Sequence, residues 1–214
     1  MGYVIVTIQQ ICQQRNIQEL VHFTDVRHLP SILQFGLMTR AQIAGLQTPV
    51  YPNDDVRLDG HPNSVSVSIS FPNDRMLYKY RRQVQRQFAI VCLHPSVLWT
   101  HRTAFYPDNA ANTTMRQLHP RNLMAPHSLE ALFQDMNGVR SRADQCLEPC
   151  HTTNVQAEAL VFGQIHPQFI TRIVFNNQAL LQQYNPYVRF AGKHSVLHGA
   201  NSGYFGSRTF MLEH

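Results

Sequence analysis

The sequence predicts an α+β fold built on an antiparallel or mixed sheet. Residues 64–71, S-V-S-V-S-I-S-F, alternate with period two, the pattern of a strand with one apolar and one small polar face. Apolar, β-prone runs recur at 19–24, 88–93, 159–162 and 169–175, so five to seven short strands are expected. These runs and three or four helical stripes follow one another without regular βαβ alternation, which argues against a doubly wound sheet. Neither G-x-G-x-x-G nor G-x-x-x-x-G-K-[ST] occurs, so no Rossmann dinucleotide site and no P-loop is expected. G-x-S-x-G, the hydrolase elbow, is also missing.

The 214 residues suffice for one domain with a sizeable core, and no repeat, linker or composition break divides them. One domain over 1–214 is the expectation. No stretch approaches the roughly 18 apolar residues of a membrane span. The first ten residues lack the basic flank and apolar run of a secretory signal, so a cytoplasmic, reduced protein is expected. Cys12 and Cys92 sit in apolar contexts and read as buried thiols. Cys146, Cys150 and His151 could form half a zinc site, but no second cysteine pair closes it, and no metal is expected. The net charge is +5 with a pI near 9.2, and Lys79 and Lys193 are the only lysines. An arginine-rich basic surface suits phosphate and base edges, hence an anionic partner such as nucleic acid.

The elements follow in order. An apolar opening and a Gln-rich stretch precede the strand at 19–24. Thr24 or Asp25 is placed to cap a helix bearing Leu29, Ile32 and Leu33 on one face, with Gly36 as its terminator. Residues 39–62 carry Pro, Asp and Gly and read as a long loop. After the strand at 64–71, residues 75–87 form a basic helix with a Met76, Leu77, Tyr80, Val84 stripe, and Tyr78 lies off that stripe. The strand at 88–93 and a turn at 96–99 lead into a long irregular segment, 100–153, interrupted by a helix at 128–136 that Ser128 would cap. Strand residues at 156–162 and 169–175 follow, then a helix with Leu180, Leu181 and Tyr184, and short strands such as 187–190.

Glu158 stands out because a carboxylate at the head of a buried strand is costly without a partner or a task. It fits an edge-strand ion pair as well as a reaction site. Gln156, two residues earlier, would share its face on a strand. His22 fits a satisfied core histidine or an anchor for a ligand hydroxyl. Tyr78 fits simple packing or a cover for a flat ring. The serine face at 64–70 fits solvated sheet or the wall of a cleft. The basic helix and the aromatic, basic 100–153 segment fit solvated faces or contacts to a single strand.

Several segments, in this order, resemble one family: Val21-His22-Phe23-Thr24 before a helix ending at Gly36-Leu37; Arg57 in a loop; Ser68-Ile69-Ser70-Phe71-Pro72-Asn73 running into Met76-Leu77-Tyr78; Pro107-Asp108-Asn109-Ala110-Ala111-Asn112; and Val155-Gln156-Ala157-Glu158-Ala159-Leu160-Val161. Over residues 18–175 the chain resembles the DarT family, the DNA ADP-ribosyltransferase toxins of DarTG toxin–antitoxin systems. The resemblance implies an ADP-ribosyltransferase-like split sheet with flanking helices and an NAD cleft without a Rossmann motif. It implies His22, Phe23 and Thr24 as NAD-holding residues, Ser31 and the Gly36-Leu37-Met38 segment bordering the cofactor, and Tyr78 over the nicotinamide. Glu158 would be the catalytic glutamate and Arg57 the second catalytic residue, with Arg40 as the fallback. Residues 100–153 would recognise substrate, with Asn109, Arg116, Arg75 and Gln156 among the contacts.

The implied reaction moves ADP-ribose from NAD to a base of single-stranded DNA, thymidine first and guanosine second. A macrodomain antitoxin of the DarG kind would be the partner. Three alternatives stay open: an RNA-directed transferase, tRNA 2′-phosphate transfer, for which a glutamate at this strand has no use, and a non-enzymatic basic nucleic-acid-binding module.

Overall fold

In the computed structural model the described residues are 6–45, 60–83 and 86–208. Arg57 lies outside them. The elements are α1 (Ile8–Gln14), β1 (Leu20–Asp25), α2 (Leu29–Phe35), α3 (Arg40–Ala44), β2 (Ser64–Ile69), α4 (Asp74–Gln83), β3 (Phe88–Leu93), α5 (Val97–Thr100), β4 (Arg102–Tyr106), α6 (Pro126–Ala131), β5 (Glu158–Phe162), β6 (Ile170–Phe175), α7 (Gln178–Phe190) and β7 (His194–Leu197). Among the described residues the strands form one seven-stranded sheet in the order β4-β5-β2-β1-β3-β6-β7. Only β6 and β7 run parallel; the other neighbours are antiparallel. The mixed sheet with flanking helices is the α+β class that the strand pattern predicts.

The centre of the sheet is split. β1 and β2 pair only at Leu20 with Ile69 and Val21 with Ser68. Beyond that point β1 runs on against β3 to Asp25, and β2 runs back against β5 to Ser64. The two strands therefore part at His22.

Both faces are covered, but differently. On one face Ile11, Leu29, Leu98, Leu129 and Leu180, from five helices, pack with Leu20, Val65, Val67, Ala159 and Val161 into the main core. On the other face two separate patches form. Leu77 of α4 and Phe205 cover Val21, Phe88, Ile90 and Val174. Ala110, Met115, Leu123 and Met124 cover Ala104, Tyr106 and Leu160. By register, Ser66 and Ser68 of β2 share this second face, beside Leu160 and Val21, so they lie between the patches. The serine row is not a solvated face: Ser64 and Ser68 are buried and Ser66 half-buried.

Gly36 shows how tightly the N-terminal elements dock. Its φ is +84°, and a Cβ there would stand 2.1 Å from the Ile165 carbonyl oxygen. Leu37 and Ile165 exchange both backbone hydrogen bonds at 2.9 Å. Gly36→Ala is expected to lose about 1–3 kcal/mol, read as a lowered denaturation midpoint.

Several local expectations are corrected. Residues 187–190 are not a strand but the last turn of α7, which runs through Pro186. Leu180, Tyr184 and Val188 recur every four residues on its buried side, and that stripe outweighs one missing amide. α6 starts at Pro126, and Ser128 is no cap: its hydroxyl donates to the Asn122 carbonyl at 3.4 Å. The basic helix is described over Asp74–Gln83, and residues 86 and 87, expected within it, lie outside it. The Gln-rich start forms α1, held by a Thr7–Gln10 capping box.

The cysteines behave as read. Burial pushes the Cys12 thiol up to about 11 and raises Cys92 further, so both are poor nucleophiles. Among the described residues no three His, Cys, Asp or Glu side chains gather as a metal group, and no helix is long and apolar enough to cross a membrane.

Candidate active site

Glu158 is the first residue of β5, paired with Tyr106 of β4. Its carboxylate is held on both oxygens. Oε2 accepts from the Ser66 hydroxyl, and Oε1 accepts from the Ala110 backbone N–H at 2.5 Å. Ser66 also joins the other side of the split, because its carbonyl oxygen lies 2.9 Å from His22 Nδ1. A carbonyl only accepts, so Nδ1 carries the proton in this bond. The imidazole thus bridges the strands where the backbone ladder stops. His22, Ser66 and Glu158 form one connected set at the mouth of the split.

The segment that brings Ala110 to the carboxylate is organised by Asp108. Its Oδ1 accepts from the Asn109 amide at 2.8 Å and from Asn154 Nδ2 at 3.0 Å, and Oδ2 accepts from Asn112 Nδ2 at 2.9 Å. Asn154 then turns the chain into β5: its side-chain oxygen accepts from the Gln156 N–H at 2.9 Å and its carbonyl from Ala157 N–H at 3.0 Å. This turn corrects one expectation. The strand begins at Glu158, so Gln156 stands in the turn and does not share a strand face with Glu158. Asn109, three residues before Asn112 in the same loop, spends its side-chain oxygen on the Ala111 amide at 2.8 Å.

The remaining candidates are distributed unevenly. Phe23 alternates with His22, and its ring packs against Tyr80 and Phe88 at 6.1 and 6.2 Å on the α4 side. The ring is half-buried, packed against the patch under α4. Thr24 is 2% exposed and its hydroxyl sits 3.3 Å from His28 Nδ1. Ser31 is on the exposed side of α2, opposite Ile32 and Leu33. Met38 is half-buried, next to the Leu37–Ile165 pair. Arg40 opens α3 and is half-buried. On α4, Tyr78 is 57% exposed and its hydroxyl accepts from Arg82 Nη1 at 3.0 Å. Arg75 and Tyr78 flank a cavity of about 150 Å³ that Phe205 and Ser207 close from the C-terminal side. Arg116 is exposed on the segment that covers β4.

Two contributors escaped the sequence reading. Ser66 carried the signal of the alternating serine row, but its partner is 92 residues away. Ala110 sits inside the quoted 107–112 segment yet acts through its backbone, which no residue type announces.

The parted strands bring hydrogen-bonding groups from both sides beside one carboxylate fixed by two donors, an arrangement able to orient hydroxyl groups. A family model described as DarT, ssDNA thymidine ADP-ribosyltransferase, matches residues 21–205. Solved structures similar to this chain include Thermus sp. 2.9 DarT in complex with NAD+, at 13% identity and TM-score 0.52 over 85% of this chain and 96% of that one. Thermus sp. 2.9 DarT in complex with ADP-ribosylated ssDNA matches at 13% identity and TM-score 0.53, over 86% and 95%. Thermosipho africanus DarTG in complex with ADP-ribose matches at 14% identity and TM-score 0.55, over 88% of this chain and 51% of that one. This chain thus spans about half the length of the DarTG chain. At these identities the likeness is one of fold. The curated proteins gave no match.

Proposed function

This chain belongs to the DarT family, described as ssDNA thymidine ADP-ribosyltransferases, and on that premise we propose that it moves ADP-ribose from NAD to a thymine of single-stranded DNA as one transferase domain. The bond broken is that between nicotinamide and ribose; the bond formed joins the ribose to a ring nitrogen of the base, whose proton is released. The observation that carries this reading is the Glu158 carboxylate, fixed by Ser66 and Ala110 where β1 and β2 part.

Breaking the nicotinamide bond builds positive charge on the ribose, as in glycoside hydrolysis. Glu158 accepts a hydrogen bond from a ribose hydroxyl and stabilises that charge without reorganising, since two donors already hold it. His22, steadied by the Ser66 carbonyl, takes a ribose hydroxyl on Nε2. The Phe23 and Thr24 backbone receives the carboxamide, with Tyr78 over the nicotinamide and Met38 and Ser31 along the outer border. Arg57 assists the acceptor base or the pyrophosphate. Asn109, Gln156, Arg75 and Arg116 contact the DNA. A thymine ring nitrogen is hidden in a duplex, which is why an unpaired base is the substrate. Basic charge supports the affinity for a strand. A DarG-like macrodomain that removes the mark is the partner, and the cytoplasm, where the DNA is reachable, is the location.

The test is incubation with NAD and mixed-sequence single-stranded DNA and RNA oligonucleotides, followed by mass spectrometry. One added ADP-ribose on thymidine-containing DNA alone is expected. Adducts on RNA alone, or on none, overturn the reading.

A further inference from the structure

The edge of the sheet beyond Glu158 carries a second feature. β4 is the outermost strand on that side, and its Tyr106 pairs with Glu158. Four residues earlier, about 13 Å along the strand, lies Arg102, exposed and 5.9 Å from the Phe162 ring. Next to it a groove of about 490 Å³ is floored by Ile8, Trp99, Met124 and Pro126 and rimmed by His101 and Arg102. Trp99 is the only tryptophan of the chain and is half-buried against the main core.

Charge along this edge is one-sided. Residues 99–127 carry Arg102, Arg116 and Arg121 against one acid, Asp108. That acid is occupied by Asn109, Asn112 and Asn154. Arg116 and Arg121 are exposed on the short turns whose Met115, Leu123 and Met124 pack over Ala104 and Tyr106 of β4. A cationic track leading from a carboxylate site to an apolar slot with an indole suits an extended polyanion with flat bases. A peptide or lipid would not need the aromatic floor and arginine track together.

We propose that the substrate strand continues from the reaction centre along β4 and seats a flanking nucleobase beside Trp99, with Arg102 on the adjoining phosphate. This rests on the reading of the site as a single-stranded DNA transferase. Stacking tolerates any base, so the groove adds affinity and sets a preferred length without dictating sequence at that position.

The lone tryptophan makes the test direct. The whole protein is titrated, without NAD, with a thymidine-containing trinucleotide and with an oligonucleotide of about nine nucleotides, and indole fluorescence is followed. The longer strand is expected to quench Trp99 and the trinucleotide to leave it unchanged. Arg102→Ala, at an exposed position that spares the fold, is expected to lower the slope of log affinity against log salt by about 0.7. It should also raise KM for the longer strand alone, leaving kcat and the trinucleotide KM as they were. Equal quenching by both lengths, no quenching, or an unchanged salt slope overturns the groove. Quenching and transfer are separate readouts. No adduct on any length would sink the transferase reading, whereas adducts without quenching would sink only the groove.

Discussion

Glu158→Gln is expected to slow ADP-ribose transfer by about 10²–10³-fold or more while the protein stays folded. The amide keeps the shape of the carboxyl. Its oxygen still accepts from the Ala110 N–H, and its NH₂ can donate to the Ser66 hydroxyl in place of accepting from it. What disappears is the negative charge facing the ribose as positive charge builds there. The loss should therefore fall on kcat, with NAD binding and thermal midpoint near those of the parent. Single-turnover rates and a melting curve on the same preparation check it. An unchanged rate would make Glu158 a structural residue and remove the centre of the proposed mechanism.

Glu19→Ala is expected to cost about 2–3 kcal/mol of stability, a midpoint drop of roughly 5–10 °C for a chain of this size. Glu19 stands just before β1 and accepts from Arg172 of β6 in a bidentate pair, at 2.5 Å from Nη2 and 3.1 Å from Nε, and also from the Tyr204 hydroxyl. Removing it leaves a partly buried guanidinium and a phenol without their acceptor. The loss is discounted below that of a fully buried pair because the Glu19 and Arg172 side chains keep 16% and 32% of their exposure. The three residues tie β1, β6 and the C-terminal turn together, so the loss should appear in the global unfolding transition.

The same cluster sets the acid response. Burial alone would raise the Glu19 carboxyl, but Arg172 and Tyr204 reverse that and hold it below its ordinary value. A depressed carboxylate contributes stability that is complete above its unfolded value of about 4.3 and is lost as pH falls through its lower folded value. Burial, aided by Arg208, also lowers His151, and burial aided by Arg172 lowers His198. Their stabilisation is present above about 6.5 and is lost below it. Stability is therefore expected to decline in two stages on acidification, first from the histidines and then from Glu19 and Asp25, the latter held low against its burial by Arg27. Urea midpoints at stepped pH values check this, and Glu19→Ala should shrink the second stage to the part owed to Asp25 and, because Glu19 counteracts the lowering of His198, deepen the first.

How much could be read in advance depends on the range over which each feature is decided. Neighbouring side chains set the type of each element. The period-two run at 64–71, the Leu29, Ile32, Leu33 stripe and Gly36 behind it all led to the observed strand, helix and stop. Local reading failed where a nearby rule met a longer one. Residues 187–190 read as a short strand, yet burial of Tyr184 and Val188 carried the helix through Pro186 to Phe190. Gln156 and Glu158 looked like one strand face, but the Asn154 side chain captured the Gln156 amide and made a turn.

The sequence by itself therefore determined the α+β class, the basic character and the ordered motifs that identify the family, because these depend on periodicity, composition and residue identity along the chain. Only the tertiary structure decided that β1 and β2 part after two pairs, that Ser66 joins His22 to Glu158, that Ala110 serves through its backbone, and that Thr24 turns its side chain into the protein. Those outcomes follow from strand register and from which surfaces the helices cover, and both are fixed by contacts between residues far apart in the chain.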